Sequence, residues 1–322
     1  VKTLGICSSD SDQIYLESPN SVNYETISLY KEAKKVYDDV LVFNPSQISY
    51  KFVRELEKPK IILDNKDITS LTTLIVRRIV GSEQSTAILV NSLAACNCDV
   101  IDPLARFTGK VNSKLLPALR HHKKKIGINS YPAFNIENAT QLINELAESD
   151  KFPLIVKPFN GRGGIGVELL NDRYTALEYA KNFFIQNAGN NVPILLQEFV
   201  RFKSEYRVMV IDGKCLGAVE KKAKPGSLAA NAAQGGSFVV ANVPNIVDFT
   251  VKNVSQKGIY GIDVGEDCDG KLYIIEANPT PMWSAFEQAT GINVAKEIIN
   301  CAIDRLHKKV NSPLLGATEV TP

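Results

Sequence analysis

Close behind the apolar run Leu154-Ile155-Val156-Lys157-Pro158 stands Gly161-Arg162-Gly163-Gly164-Ile165-Gly166. The spacing satisfies G-x-G-x-x-G after a strand, which invites a dinucleotide-binding reading and an NAD-dependent dehydrogenase. That fingerprint needs a helix next, because the helix N-terminus holds the pyrophosphate. The next residues here are Val167-Glu168-Leu169-Leu170 and the turn pair Asn171-Asp172, the pattern of a second strand. The context therefore argues against the dehydrogenase. Glycines permit positive φ and let backbone N–H groups close over phosphates, though the same run also serves as a plain flexible hairpin. Lys157, at the end of the preceding strand, tips the balance, since an ammonium beside a glycine-rich lid suits a triphosphate.

The chain has 322 residues, a prior for about two domains at ~150 residues each. Lys plus Arg number 37 against 35 Asp plus Glu, so no global field points to nucleic acid or an anionic membrane, and any basic site is local. The six cysteines, Cys7, Cys96, Cys98, Cys215, Cys268 and Cys301, are scattered without a C-x-x-C, which predicts reduced thiols in a cytoplasmic protein. No stretch approaches the ~18 apolar residues of a membrane span, and the first residues lack the apolar region of a signal peptide.

The first third alternates strand and helix: Leu4–Cys7, a helix around Ser21–Val36, Val40–Phe43, a polar segment, then Thr73–Val76. This order predicts a small parallel sheet with covering helices. A helix from Asn112 through Leu115, Leu116 and Leu119 to His122 ends in Lys123-Lys124-Lys125, read as a solvated helix end whose cations suit the dipole. From Leu154 the texture turns β-rich, with a helix near Tyr174–Phe184 and strands at Ile194–Phe199, Glu205–Ile211, Leu216–Glu220, Gly258–Val264 and Lys271–Ala277. Asp212-Gly213 and Asp269-Gly270 predict two hairpin turns. A last helix covers Ala295–His307, and 312–322 reads as a loose tail.

In the second hairpin Glu276 and Asn278 are two residues apart and share a face, which Asp263 on the partner strand can reach. Three oxygen donors suit Mg²⁺, which keeps waters and bridges substrate phosphates. Three polar residues on a solvated sheet face would have the same spacing. Glu276, however, interrupts an apolar strand, so its charge calls for compensation.

Taken in order, Lys114, Lys157 before the glycine loop, Gln197-Glu198-Phe199-Val200, Glu205-Tyr206-Arg207, Asn231 with Gly235-Gly236, Asp263 and Glu276-Ala277-Asn278-Pro279 resemble the ATP-grasp ligases. The nearest subgroup is the RimK-type carboxylate–amine ligases, which include ribosomal-protein glutamate ligase. The likeness runs from about Val76 to Ala295. It implies an α/β (α+β) ATP-grasp fold in which a small N-terminal Rossmann-like domain (1–105) precedes two α+β subdomains that clamp ATP (106–192 and 193–311), with a flexible tail at 312–322. It implies an ATP-dependent ligase that activates a carboxylate as an acyl phosphate and then joins it to an amine, an amino acid or peptide or the tail of a protein. A homo-oligomer is open, whereas nucleic acid and membrane are disfavoured.

The resemblance also assigns roles. Lys114, Lys157 and the lid residues Gly161, Gly163, Gly164, Ile165 and Gly166 would bind nucleotide, Gln197, Glu198, Phe199 and Val200 the adenine, and Glu205 the ribose. Arg207, Lys222 and Asn231 would face the transferred phosphoryl group. Asp263, Glu276 and Asn278 would hold Mg²⁺, with Mn²⁺ as an alternative. The chain departs from the family pattern at Ser113, where Asp is usual. It departs also at Arg162-Gly163 in the lid and at Lys221-Lys222, where an Arg pair would make bidentate phosphate contacts. Trp283, the sole Trp, is expected either to shape an acceptor pocket or to pack a domain seam. Of Arg77 and Arg78, adjacent on a strand, only one can point inward, and Arg78 is favoured. The contrasting reading is a regulatory ATP-binding module of the same fold without turnover, disfavoured because all three metal donors are present.

Overall fold

A computed structural model describes residues 1–8, 24–77, 82–101, 115–159, 166–190, 192–222, 237–254 and 257–311. Strand β1 (Thr3–Cys7), helix α1 (Tyr24–Ala33) and strands β2 (Asp39–Phe43), β3 (Ile48–Lys51), β4 (Lys60–Leu63), β5 (Lys66–Asp67) and β6 (Thr73–Val76) open the chain. Helix α2 (Glu83–Ala95) and strand β7 (Asp99–Val100) complete the first domain. Four strands form a parallel sheet in the order β2-β1-β6-β7, as the alternating pattern predicts. Its central strands are apolar on both faces because both are covered: Leu4, Ile6 and Ile75 pack on one side, Cys7, Leu74 and Val76 on the other. The segment read as merely polar forms an antiparallel meander, β3-β4-β5, whose Ile61 and Leu63 cap the second face together with α2.

Helix α3 (Leu115–Lys124) leads to strand β8 (Ser130–Ala133), helix α4 (Ile136–Glu148), strands β9 (Leu154–Pro158) and β10 (Glu168–Leu170), helix α5 (Arg173–Gln186) and strand β11 (Ile194–Glu198). The sheet order is β10-β9-β11-β8, all antiparallel. Its core is self-contained. Ala139, Ile143 and Leu146, on one stripe of α4, and Ala176 and Ala180 of α5 bury Leu154, Val156, Ile194 and Leu196. Side-chain caps start both helices: Asn135 accepts from the Asn138 N–H, and Asp172 forms a capping box with Thr175.

Next along the chain are strands β12 (Phe202–Ile211), β13 (Lys214–Lys222) and β14 (Ser237–Val240), helix α6 (Pro244–Asn253), strands β15 (Ile259–Asp267) and β16 (Leu272–Asn278), and helices α7 (Ser284–Thr290) and α8 (Val294–Asn311). The strands form a five-stranded antiparallel sheet, β14-β13-β12-β15-β16. Both predicted turns are present. Asp212 and Gly213 take φ of 48° and 82°, the paired positive values of a two-residue hairpin, and Gly270 takes 78°.

Two boundaries differ from the expected 106–192 and 193–311. Strand β11 lies between β9 and β8, so the central subdomain extends to Phe199, whose N–H donates to the Pro153 carbonyl (3.1 Å). Helix α3 packs on β16, Ile126 joins the core of the five-stranded sheet, and its carbonyl accepts the Ile274 N–H at 2.8 Å. The central subdomain is therefore residues 128–199. The tail 312–322 lies outside the described residues. All six cysteines are unpaired. Among the described residues no helix is long and apolar enough to cross a membrane.

Candidate active site

One face of the five-stranded sheet changes character along its length. Met209 and Ile211 of β12 are buried in the core shared with the first domain, while Glu205 and Arg207, on the same face, carry charge. Arg207 stands opposite Asp263 in the β12–β15 register and binds it bidentately, Nε to Oδ1 at 2.7 Å and Nη2 to Oδ2 at 2.8 Å. Lys221 of β13, 6% exposed, reaches Asp263 Oδ2 at 3.1 Å and Glu205 Oε2 at 3.4 Å. Burial alone would raise the pKa of Asp263, but the Arg207 and Lys221 charges outweigh it and hold the carboxyl below its usual range. Burial would likewise lower that of Arg207, yet Asp263 and then Glu276 keep it raised.

The register that assembles this cluster depends on two bulges. Counting straight back from the Asp212-Gly213 turn pairs Val210 with Cys215 and Ile211 with Lys214, which would put Lys222 on the Arg207 face. The irregularity after Met209 shifts the pairing by one, so that Glu205 opposes Lys221, Arg207 opposes Val219, and every side chain beyond changes face. The lysine that shares the face of Arg207 is therefore Lys221 and not the expected Lys222. The Lys222 side chain is exposed on the opposite face, where it pairs with Glu220. A second irregularity, after Asp263, does the same for β16: Val264 pairs with Ile274, but Asp263 pairs with Glu276 and Gly261 with Asn278. Without that bulge Ile275, not Glu276, would face Asp263.

Asp263, Glu276 and Asn278 thus share one face on neighbouring strands, as the spacing predicts. Asn278 Oδ1 accepts the Thr280 N–H at 3.1 Å. Among the described residues no group of three or more His, Cys, Asp or Glu is placed to hold a metal ion, so such a site requires the Asn278 amide as third donor. Two carboxylates and an amide oxygen are the hard donors that Mg²⁺ takes when phosphates and waters complete its shell, so the residues present fit that ion.

In the central sheet, Lys157 and Gln197 lie on the face turned away from α4 and α5, with Lys157 opposite Leu195 and Gln197 opposite Ile155. Gln197 is buried and its Nε2 donates to Ser130 Oγ at 2.7 Å. Glu198 points the other way: Tyr131 Oη donates to its Oε1 at 2.7 Å and Asn129 Nδ2 to its Oε2 at 3.1 Å, so its carboxylate is engaged within the subdomain. Phe199 and Val200 come next, at the edge where the chain leaves for β12. Gly166 closes the glycine loop at φ 72°, and a Cβ there would lie 2.9 Å from the Pro158 Cγ, so only glycine fits against the strand that bears Lys157. Lys114, Gly161, Gly163, Gly164, Ile165 and Asn231 lie outside the described residues, as do Arg78 and Arg162.

Two further expectations resolve. Trp283 is fully buried among Leu4, Ile6, Ile75, Phe286 and Ile298, so it packs the seam between the first domain and the five-stranded sheet. Against the preference for Arg78, it is Arg77 that points inward, 4% exposed with its guanidinium 4.5 Å over the Trp283 ring. Sequence reasoning missed Glu25, Tyr131 and Ser130; their roles depend on contacts across 67 to 259 residues that no local spacing announces.

A parallel-sheet domain followed by two α+β units, one with a lysine before a glycine loop and the other with an acid–amide trio on a sheet face, defines an ATP-grasp protein. The RimK-like ATP-grasp domain matches residues 112–302, and the chain belongs to that family. A probable alpha-L-glutamate ligase from Thioalkalivibrio sulfidiphilus (strain HL-EbGR7) is 27% identical over 297 residues, 89% of this chain and 94% of that one. The ribosomal protein bS6--L-glutamate ligase of Escherichia coli O81 (strain ED1a) is 30% identical over 152 residues, 46% of this chain and 49% of that one. With several curated relatives the match spans only 34% to 49% of the relative's length. The fold is similar to that of the ATP-grasp ligase PsnB, solved with minimal precursor, Mg and ADP, at a TM-score of 0.67. That match covers 94% of this chain and 98% of the other at 13% identity.

Proposed function

We propose that the chain is an ATP-dependent carboxylate–amine ligase that forms an amide or peptide bond through an acyl phosphate, releasing ADP and phosphate. The observation that carries the reading is the convergence of Asp263, Glu276 and Asn278 beside the cations Arg207 and Lys221. Phosphoryl transfer is mostly positioning and charge neutralisation, and this set supplies both.

A substrate carboxylate oxygen attacks the γ-phosphorus, the bond to the bridging oxygen breaks, and ADP leaves with that electron pair. The amine nitrogen then attacks the acyl carbon, phosphate departs with the C–O pair, and the amine proton passes to phosphate or solvent. Arg207 and Lys221 face the charge that develops on the transferred group, a role the family resemblance extends to Asn231. Lys157 and Lys114, with the residues Gly161 to Gly166, bind the nucleotide phosphates. The backbone of Gln197 to Val200 and the Glu205 side chain hold the adenosine, since the Glu198 carboxylate is engaged by Tyr131 and Asn129. Asp263, Glu276 and Asn278 would hold Mg²⁺, or Mn²⁺ in its place, which when bound neutralises phosphate charge.

The names of the relatives support L-glutamate as the amino acid and a protein as its partner in the bond formed. The unpaired cysteines support a cytoplasmic location. The test is ADP and phosphate release from ATP and Mg²⁺ across amino acids, headed by L-glutamate, and short peptides, with hydroxylamine as trapping amine. A hydroxamate with one carboxylate is the expected result. ATP binding with no ADP release in any pairing would overturn it in favour of a non-catalytic ATP-binding module. Glu276→Ala and Lys157→Ala are each expected to lower turnover at least ~100-fold with an unchanged melting temperature.

A further inference from the structure

The turn after Asn278 is held from the first domain by two buried charged side chains. Arg77 Nη2, just past the end of β6, donates to the Pro281 carbonyl at 2.7 Å while its guanidinium covers Trp283. Glu25 of α1, 3% exposed, accepts with Oε1 from the backbone N–H of Trp283 at 3.0 Å and of Ser284 at 3.3 Å. Burying charge to grip three backbone groups carries a desolvation penalty that neutral side chains would largely avoid. The turn so held is seated tightly. A Cβ on Gly261 would lie 2.9 Å from the Pro281 Cβ and 3.5 Å from the Arg207 side chain. The residue between, Thr280, aims its N–H at Asn278 Oδ1.

We propose that Arg77 and Glu25 are positioning residues: from the first domain they fix the turn Pro279–Ser284, and through Thr280 and Pro281 they orient the Asn278 amide toward the metal that Asp263 and Glu276 share with it. This rests on the reading of Asn278 as a metal ligand in the ligase site. Neither residue touches the substrate or the ion. Their effect is on how well the third donor is presented.

The experiment is Mn²⁺ binding to the full chain saturated with ADP, read by the electron paramagnetic resonance signal of the free ion. Glu276→Ala is measured first. Unchanged Mn²⁺ affinity there would overturn the site itself, before the positioning residues are reached. With that affinity lost, Arg77→Lys and Glu25→Ala are expected to weaken Mn²⁺ binding about tenfold, and Glu25→Gln, whose amide oxygen still accepts both N–H groups, less than about twofold. Leu93→Ala, in the separate core on the other face of the first domain's sheet, should lower the melting temperature and leave Mn²⁺ affinity in place. Wild-type affinity in folded Arg77→Lys and Glu25→Ala would overturn the proposal, as would an equal loss in Leu93→Ala. Should Arg77→Lys not fold, the Glu25 pair decides.

Discussion

The first domain and the five-stranded sheet share one core, whereas the central subdomain keeps its own. Leu4, Leu29 and Ile75 from one and Met209, Ile211 and Val219 from the other pack with Trp283, Phe286 and Ile298 in a single cluster. Polar ties cross the same seam: Arg305 of α8 reaches Asp99 at 2.9 Å and Asp212 at 3.3 Å, and Asn293 reaches Glu32 at 3.0 Å. The core of the central subdomain draws only on residues between Tyr131 and Leu196. The acid–amide trio and the cations beside it therefore ride on a fused body, and Lys157 rides on a separate one.

The largest effect that tests this division is at Asp263. Asp263→Ala leaves Arg207 and Lys221 buried without their shared partner, an expected loss of ~3–5 kcal/mol. Denaturant unfolding should show that loss in the transition of the fused body, with turnover abolished. A loss confined to turnover would mean the cluster is solvated and the ion pairs loose. Next come two cavity variants of overlapping expected cost placed on either side of the division. Trp283→Ala should cost ~3–5 kcal/mol and Leu196→Ala ~2–5 kcal/mol. Amide exchange separates them: Trp283→Ala should speed exchange in β1, β6, β12 and β15 together, and Leu196→Ala only in β8 to β11 and the two helices that cover them. Faster exchange of β12 in Leu196→Ala would break the comparison. Tyr131→Phe, which removes one hydrogen bond to Glu198 in the central unit, should cost only ~1–2 kcal/mol and leave the fused body untouched.

Much of this body was legible because its signals are local. The Asp-Gly pairs specify their turns, the period-two placement of Glu276 and Asn278 specifies a shared face, and the alternation of the first hundred residues specifies a parallel sheet. Reading failed where geometry is set at a distance. Lys222 rather than Lys221 is the lysine one expects until the bulge after Met209 changes the register, and a bulge leaves no clear mark in a run such as Lys214–Lys222. The strand Ile194–Glu198 is followed so closely by β12 that spacing cannot say which sheet it joins, and the hydrogen bonds to β9 and β8 decide it. The meander of β3 to β5 reads as polar because alternate residues, such as Ser49, Lys51 and Lys60, face outward. Glu25 was invisible, and the choice between Arg77 and Arg78 fell on the wrong one, because Glu25 and Arg77 each meet their partner more than 200 residues along the chain.

The last prediction concerns which body weakens in acid. His121 of α3 belongs to the fused body, and Gly127 approaches it so closely that a Cβ there would lie 2.6 Å from the His121 Cβ. Burial first, and then the charges of Arg120 and Lys124, push its pKa down from 6.5 to about 4. Between those values the unfolded chain binds a proton that the folded chain refuses, so stability falls as the pH drops from 6.5 toward 4, by at most about 1.4 kcal/mol per unit. Asp263 acts in a separate window: held below 3.8, it keeps its ion pairs throughout this range and loses them only as the pH falls through its lower folded value. The difference between wild type and His121→Gln isolates the histidine from carboxylates that titrate nearby. That difference should grow from pH 6.5 to 4 in the transition of the fused body and stay at zero in that of the central subdomain. An equal slope in both transitions would mean that α3 travels with the central unit after all.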